Sequence, residues 1–283
     1  MTEKFSTLFP SVRQQVSDAE WETRVNLAAC YRLIDKYGMS DLIYNHITAR
    51  IPGSDEHLLI NLYGLLYKEI TASSLAKIDV EGNILSKPDT DYGINKSGYV
   101  IHSAILKARP DVKCIIHTHT RAGMAVSSMK CGLLPMTQTS MRFVGHIGYH
   151  DYEGPAIDLG ERERLVSDLG PHDAMILRNH GLLTCGATIQ QAFNTMYQLE
   201  LACRAQVDAM RRRELDLDRP LVVQYARYVA RAVQGDFGTS FISGQAIAPT
   251  IGRAYRLDFE IIILSQIPKL LGTPKGMSVE HAL

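Results

Sequence analysis

Strand-like and helix-like runs alternate along this 283-residue chain, and the connections between them are short. That alternation constrains the fold more than any other feature, because parallel strands need a crossover of about a dozen residues or more. Leu75 to Leu85 carries Ile78, Val80 and Ile84 around Glu81-Gly82-Asn83, a hairpin signal. Leu42 to Ile51 mixes β-branched and aromatic residues, ends at Pro52-Gly53 and reads as a strand; Leu58-Leu59-Ile60 reads as a second. Val112 to His117, Ala174 to Leu177 and Leu182 to Cys185 read as buried strands. The expected architecture is therefore an α/β layering on a sheet that is at least partly antiparallel. No G-x-G-x-x-G or P-loop pattern argues for a doubly wound nucleotide-binding fold.

The helices announce themselves by their starts. Ser17-Asp18-Ala19-Glu20 is a capping box ahead of a periodic apolar face, which predicts a helix over about 18–37 stopped by Gly38. Thr188-Ile189-Gln190-Gln191 is a second such start, opening a long helix through Arg211-Arg212-Arg213. Shorter helices are expected over Tyr99–Ala108, Ala122–Met129 and Leu221–Val233, with a loop-like Gly235–Gly252. The expected organisation is one domain over residues 1–215 and an extension over 216–283 that packs on it or on a neighbouring subunit.

Lys+Arg and Asp+Glu are both 30, which argues against a dedicated nucleic-acid binder. No apolar run reaches the ~18 residues of a membrane helix, and Met1 to Pro10 has no signal-peptide core. Five cysteines without a C-x-x-C pair read as reduced thiols of a cytoplasmic protein. The ten histidines are the unusual number.

His117-Thr118-His119 ends a strand, and side chains two apart on a strand share a face. His180 follows another strand, in Leu177-Arg178-Asn179-His180-Gly181. Should those strands be neighbours, three imidazoles converge, a set that suits zinc, iron, cobalt or copper and leaves positions open for substrate. H-x-H by itself is common, and a lone turn histidine is more often simply satisfied; the buried strands ending at small residues favour the metal.

Arg109-Pro110-Asp111, the strand into His117-Thr118-His119 and Asn179-His180-Gly181 together resemble the class II aldolase/adducin family over about Trp21 to Arg211. The resemblance implies a three-layer α/β/α sandwich around a largely antiparallel central sheet. It implies that His117, His119 and His180 hold a divalent metal, Zn2+ or Fe2+, and that the protein is a homo-oligomer, commonly a tetramer. It further implies a lyase acting at a carbon–carbon bond next to a carbonyl.

Departures narrow this. The sugar-phosphate aldolases carry a glutamate four residues before the position of His102, and here Gly98 stands there. Their phosphate-binding Thr-Gly turn matches Asn61-Leu62-Tyr63-Gly64 here, while Asn45 and Ser97 echo that site. Other stretches, such as Asn45-His46-Ile47 and Tyr149-His150-Asp151-Tyr152, resemble the adducin head domain, a cytoskeletal scaffold without the full histidine set. The expected substrate is a small, non-phosphorylated, anionic 2-oxo or 2-hydroxy acid, since three histidines without a carboxylate leave the site positive. An iron(II) oxygenase of aromatic 2-oxo or 2-hydroxy acids is one alternative; a non-enzymatic, adducin-like interaction module is another. Candidate catalytic residues are His102, Tyr149 and His150. Asn45, Ser97 and Gln138 are candidate substrate contacts. His46 is expected to face away from the pocket if Asn45 faces it.

Overall fold

The computed structural model describes residues 9–154, 159–214, 220–237 and 248–249. Among the described residues, eight strands form one sheet: β1 (His46–Arg50), β2 (His57–Ile60), β3 (Ala76–Asp79), β4 (Ile84–Ser86), β5 (Cys114–Thr118), β6 (Gly148–His150), β7 (Ala174–Leu177) and β8 (Gly181–Gly186). Their order is β4-β3-β2-β1-β5-β8-β7-β6. Only β6 and β7 run parallel; the other neighbours are antiparallel. The helices are α1 (Asp18–Lys36), α2 (Lys96–Ala108), α3 (Arg121–Ser127), α4 (Gln138–Met141), α5 (Leu159–Leu169), α6 (Ile189–Glu214) and α7 (Leu221–Val233).

Helix α1 starts where Ser17 accepts a hydrogen bond from the Glu20 amide, 3.2 Å away. It stops at Gly38, whose φ of +67° lets the Met39 N–H return to the Ile34 carbonyl at 2.9 Å. Leu27, Tyr31 and Ile34 of α1 are fully buried. The single proton of the Tyr31 hydroxyl is shared between the Ile47 carbonyl and Asn61 Oδ1, the latter 2.9 Å away, tying the helix to β1 and the end of β2. Helix α6 is capped by Thr188 and anchored on the same face: Thr184 donates to the Ala192 carbonyl at 3.1 Å and Thr118 reaches Met196 Sδ at 3.3 Å. Helices α2 and α5 cover the opposite face, with Thr48 2.8 Å from His102 of α2 and His150 2.8 Å from Asp168 of α5. The result is three layers, with the mostly antiparallel sheet in the middle.

The strand expected from Leu42 begins only at His46, because Leu42 adopts φ +46° and residues 42–44 form a turn. Strand β6 and helices α4 and α5 add to the elements read from the sequence.

The chain divides into two compact units, Met1–Met210 and Arg211–Leu283. In the second, α7 presents Val222, Tyr225, Val229 and Val233 along one side. The boundary expected between 215 and 216, and most of the loop expected over Gly235–Gly252, lie outside the described residues. Among the described residues, no helix is long and apolar enough to cross a membrane.

Candidate metal centre

The sheet register assembles the centre. His117 on β5 sits opposite His46 on β1 and Leu183 on β8, so His46, Thr48 and His117 share the face covered by α2. His119 lies just past β5, in the step to α3, whose first turn Thr120 caps through the Gly123 amide at 3.0 Å. His180 lies in the tight connection between β7 and β8. That connection closes because Asn179 takes φ +55°, a conformation asparagine tolerates better than most residues, and because Gly181 has no side chain. A Cβ on Gly181 would stand 2.4 Å from the Thr118 carbonyl oxygen.

Nε2 of His119 is 2.8 Å from Nε2 of His117 and 2.9 Å from Nε2 of His180. The candidate ligand atoms of all three lie within 4.8 Å of one another. The other ring nitrogens explain why these face inward. Nδ1 of His117 donates to the Leu182 carbonyl at 2.9 Å, which leaves the lone pair on Nε2. Nδ1 of His119 faces Asp41 Oδ2 at 3.4 Å, with the same consequence.

Burial lowers the pKa of each imidazole. For His117 the neighbouring histidines add to it and the Leu182 carbonyl works against it, and the net shift is well below the ordinary value. For His119 burial outweighs the opposing carboxylate of Asp41. His180 is lowered to about 4, by burial first and His119 second. The centre thus presents neutral nitrogen donors at pH 7, the form that binds a divalent cation. Donor type, tautomer and convergence all fit a metal of the zinc class.

The other site candidates distribute differently. His102 is fully buried; its Nδ1 meets Thr48 Oγ1 at 2.8 Å, and burial, then His117, hold it neutral. Its ring lies 4.2 Å from that of His46, which lies 5.4 Å from that of His117. His46 thus faces the cavity, contrary to expectation, and its ring lies between that of His102 and the histidine triad. His150 also lines the cavity, with Nδ1 2.8 Å from Asp168 Oδ2. Tyr149, next to it on β6, points to the opposite face. Its hydroxyl accepts the Leu133 N–H at 3.1 Å, and Arg178 stacks 4.7 Å from its ring, so Tyr149 is not brought to the metal centre.

Asn45 is fully buried, accepts the Asp41 N–H on its Oδ1 at 2.6 Å and is not part of the cavity lining. Gln138 opens α4 as an exposed residue outside the cavity lining. Ser97 lies in the first turn of α2, and its side chain is outside the described set. In the stretch matching the aldolase phosphate turn, Asn61 spends its Oδ1 on Tyr31 and its Nδ2 on the Leu62 carbonyl at 3.3 Å. The cavity before the triad measures about 420 Å³; its wall combines apolar side chains such as Ile101, Met124, Leu165 and Leu177 with Asn95, Asp151, Glu153 and Arg178. Sequence reasoning missed Asp41 and the inward orientation of His46.

Comparison with known proteins shows the family and the fold. Residues 25–207 match the model of the class II aldolase and adducin N-terminal domain. A Pseudomonas aeruginosa protein provisionally named a class 2 aldolase is 52% identical over 198 residues, 70% of this chain and 75% of that protein. Alpha-adducin of Rattus norvegicus is 49% identical over 185 residues, 65% of this chain but only 25% of the adducin. The structure of L-fuculose 1-phosphate aldolase from Glaciozyma antarctica superposes with a TM-score of 0.62 at 32% identity, covering 71% of this chain and 78% of that one.

Proposed function

From the premise that this chain belongs to the class II aldolase and adducin N-terminal domain family, we propose that it is a metal-dependent lyase. It would cleave or form a carbon–carbon bond next to the carbonyl of a small, non-phosphorylated 2-oxo or 2-hydroxy acid. The carrying observation is that Nε2 of His119 lies 2.8 Å from that of His117 and 2.9 Å from that of His180, with all three ligand atoms within 4.8 Å of one another and burial favouring the neutral imidazoles.

These three residues would hold the ion, Zn2+ in this reading. Bound there, it supplies Lewis acidity, which offsets negative charge growing on a carbonyl oxygen. The remaining work belongs to side chains. Leu182 and Asp41 keep His117 and His119 in the donating tautomer. His150, steadied by Asp168, stands at the cavity wall as the candidate carrier of the substrate proton. His102 stands behind His46 and positions it through ring contact.

Two observations support the substrate class. Gly98 occupies the place of the aldolase glutamate, so a loaded centre keeps positive charge that a carboxylate substrate offsets. Asn61, in the stretch that would cradle a phosphate, has both amide atoms engaged elsewhere. A homotetramer in the cytoplasm completes the reading, and sedimentation as a monomer would count against that part.

The test is metal analysis of protein purified without oxygen, with release of a 2-oxo acid fragment from 4-hydroxy-2-oxo acids followed in parallel. One zinc per chain, absent from His117→Ala and His119→Ala, with cleavage that follows metal content, is the expected result. Bound iron with oxygen consumption would move the assignment to an oxygenase. No metal uptake would leave the adducin-like interaction module.

A further inference from the structure

The turn before β1 makes no sense as a connection alone. Leu42 adopts φ +46°, a left-handed conformation that is costly for a side chain branching beyond Cβ, and it is 65% exposed, so no burial offsets the strain. Two hydrogen bonds hold the turn. Asn45 Oδ1 accepts the Asp41 N–H at 2.6 Å, and the Asp41 carbonyl accepts the Tyr44 N–H at 3.0 Å. Asn45 is itself fully buried at the start of β1, so the clamp is anchored in the sheet. The product of this strained, clamped turn is the placement of one side chain: Asp41 Oδ2 stands 3.4 Å from Nδ1 of His119.

We infer that Asp41 is a positioning residue of the centre, and that the buried Asn45 amide is what aims it. Asp41 acts through His119, not on substrate. Its carboxylate holds the proton on Nδ1, fixes the ring plane and raises the donor strength of Nε2. It also lends the centre negative charge through a ligand, where Gly98 offers none directly. His117 receives its orientation from a neutral carbonyl, so the two ligands of the H-x-H pair are tuned differently. This inference rests on the metal-centre reading above.

The experiment is zinc competition against a chromophoric chelator, with thermal melting of the metal-free protein alongside. Wild type, Asp41→Ala, Asp41→Asn, Asn45→Ala and His117→Ala are compared. Partners of this kind are worth about 10–100-fold in metal affinity. Asp41→Ala is expected to lose at least about tenfold. Asp41→Asn, whose amide oxygen still accepts the Nδ1 proton but carries no charge, should fall between it and wild type. Asn45→Ala should weaken binding although no ligand has changed. The metal-free melting temperature of the Asp41 variants, at a half-buried surface position, should stay within a degree or two of wild type, which separates positioning from folding. Zinc affinity within twofold of wild type in Asp41→Ala, with His117→Ala abolished, overturns this inference alone. Absence of zinc binding by wild type overturns the metal reading and this inference together.

Discussion

Replacing Gly181 by Ala should damage the centre without touching a ligand. Gly181 has no strained backbone angle, so alanine is conformationally acceptable there, and the whole effect is steric. Its Cβ would lie 2.4 Å from the Thr118 carbonyl oxygen and 3.2 Å from Cδ2 of His119, whereas real Cβ atoms essentially never approach below 3.0 Å. The ends of β5 and β8 must therefore part by about 0.6 Å, in an interior that does not yield easily. Overpacking of this kind costs about 1–3 kcal/mol, which lowers the melting temperature by roughly 2–4 °C per kcal/mol for a domain of this size. The parting strands carry His119 on one side and His180 on the other, so the 2.9 Å approach of their Nε2 atoms opens by a similar amount. We expect zinc affinity to fall by about tenfold or more, as for other disturbances around metal ligands. Gly53→Ala is the control: its φ of +82° carries a left-handed penalty, but nothing lies within 4 Å of its Cβ. That variant should lose about 1 kcal/mol and no metal affinity. The assay pairs thermal denaturation of metal-free protein with chelator competition. Gly181→Ala that melts within a degree of wild type and binds zinc within twofold would refute the reasoning.

Tyr149→Phe should leave metal binding and turnover intact while costing about 1 kcal/mol, since it removes only the acceptor for the Leu133 N–H; a loss of turnover at unchanged metal content would return Tyr149 to the site. The metal-free protein should lose stability in acid. His180 is neutral in the fold down to about pH 4, whereas an unfolded chain takes up that proton near 6.5. Stability is then insensitive to this residue above about pH 6.5 and declines between 6.5 and 4, by at most about 3 kcal/mol from His180. Denaturant titrations across that range should show a shallower slope for His180→Gln, and an unchanged slope would contradict the assignment.

How much of this was legible in the sequence depended on whether a local pattern carried the information. Capped helices such as α1 and α6 and the β3–β4 hairpin announced themselves through short-range chemistry. His117 and His119 were readable because two residues apart on a strand always share a face. Which of two adjacent residues faces the pocket was not readable. Asn45 and His46 oppose each other, and the expectation set Asn45 toward the pocket; Tyr149 and His150 were both named, although neighbours on a strand face opposite ways and only His150 lines the cavity. In a sheet covered on both faces, polar and apolar residues do not alternate visibly, so orientation is set by pairing with distant strands. Asp41 carried no periodic signal at all. Its role arises only when the turn at 41–45 and the end of β5, about 75 residues apart in sequence, meet in space.

The two faces of β1 and β5 divide evolutionary risk between them. Ile47, Ala49 and Ile116 face the α1 and α6 layer and supply packing, for which any well-shaped aliphatic residue serves. His46, Thr48 and His117, one step out of phase with them, face α2 and the cavity, where each polar atom has a particular neighbour. A single replacement on that polar face leaves a buried neighbour unpaired, at about 1–3 kcal/mol, so stability as well as chemistry holds those residues in place.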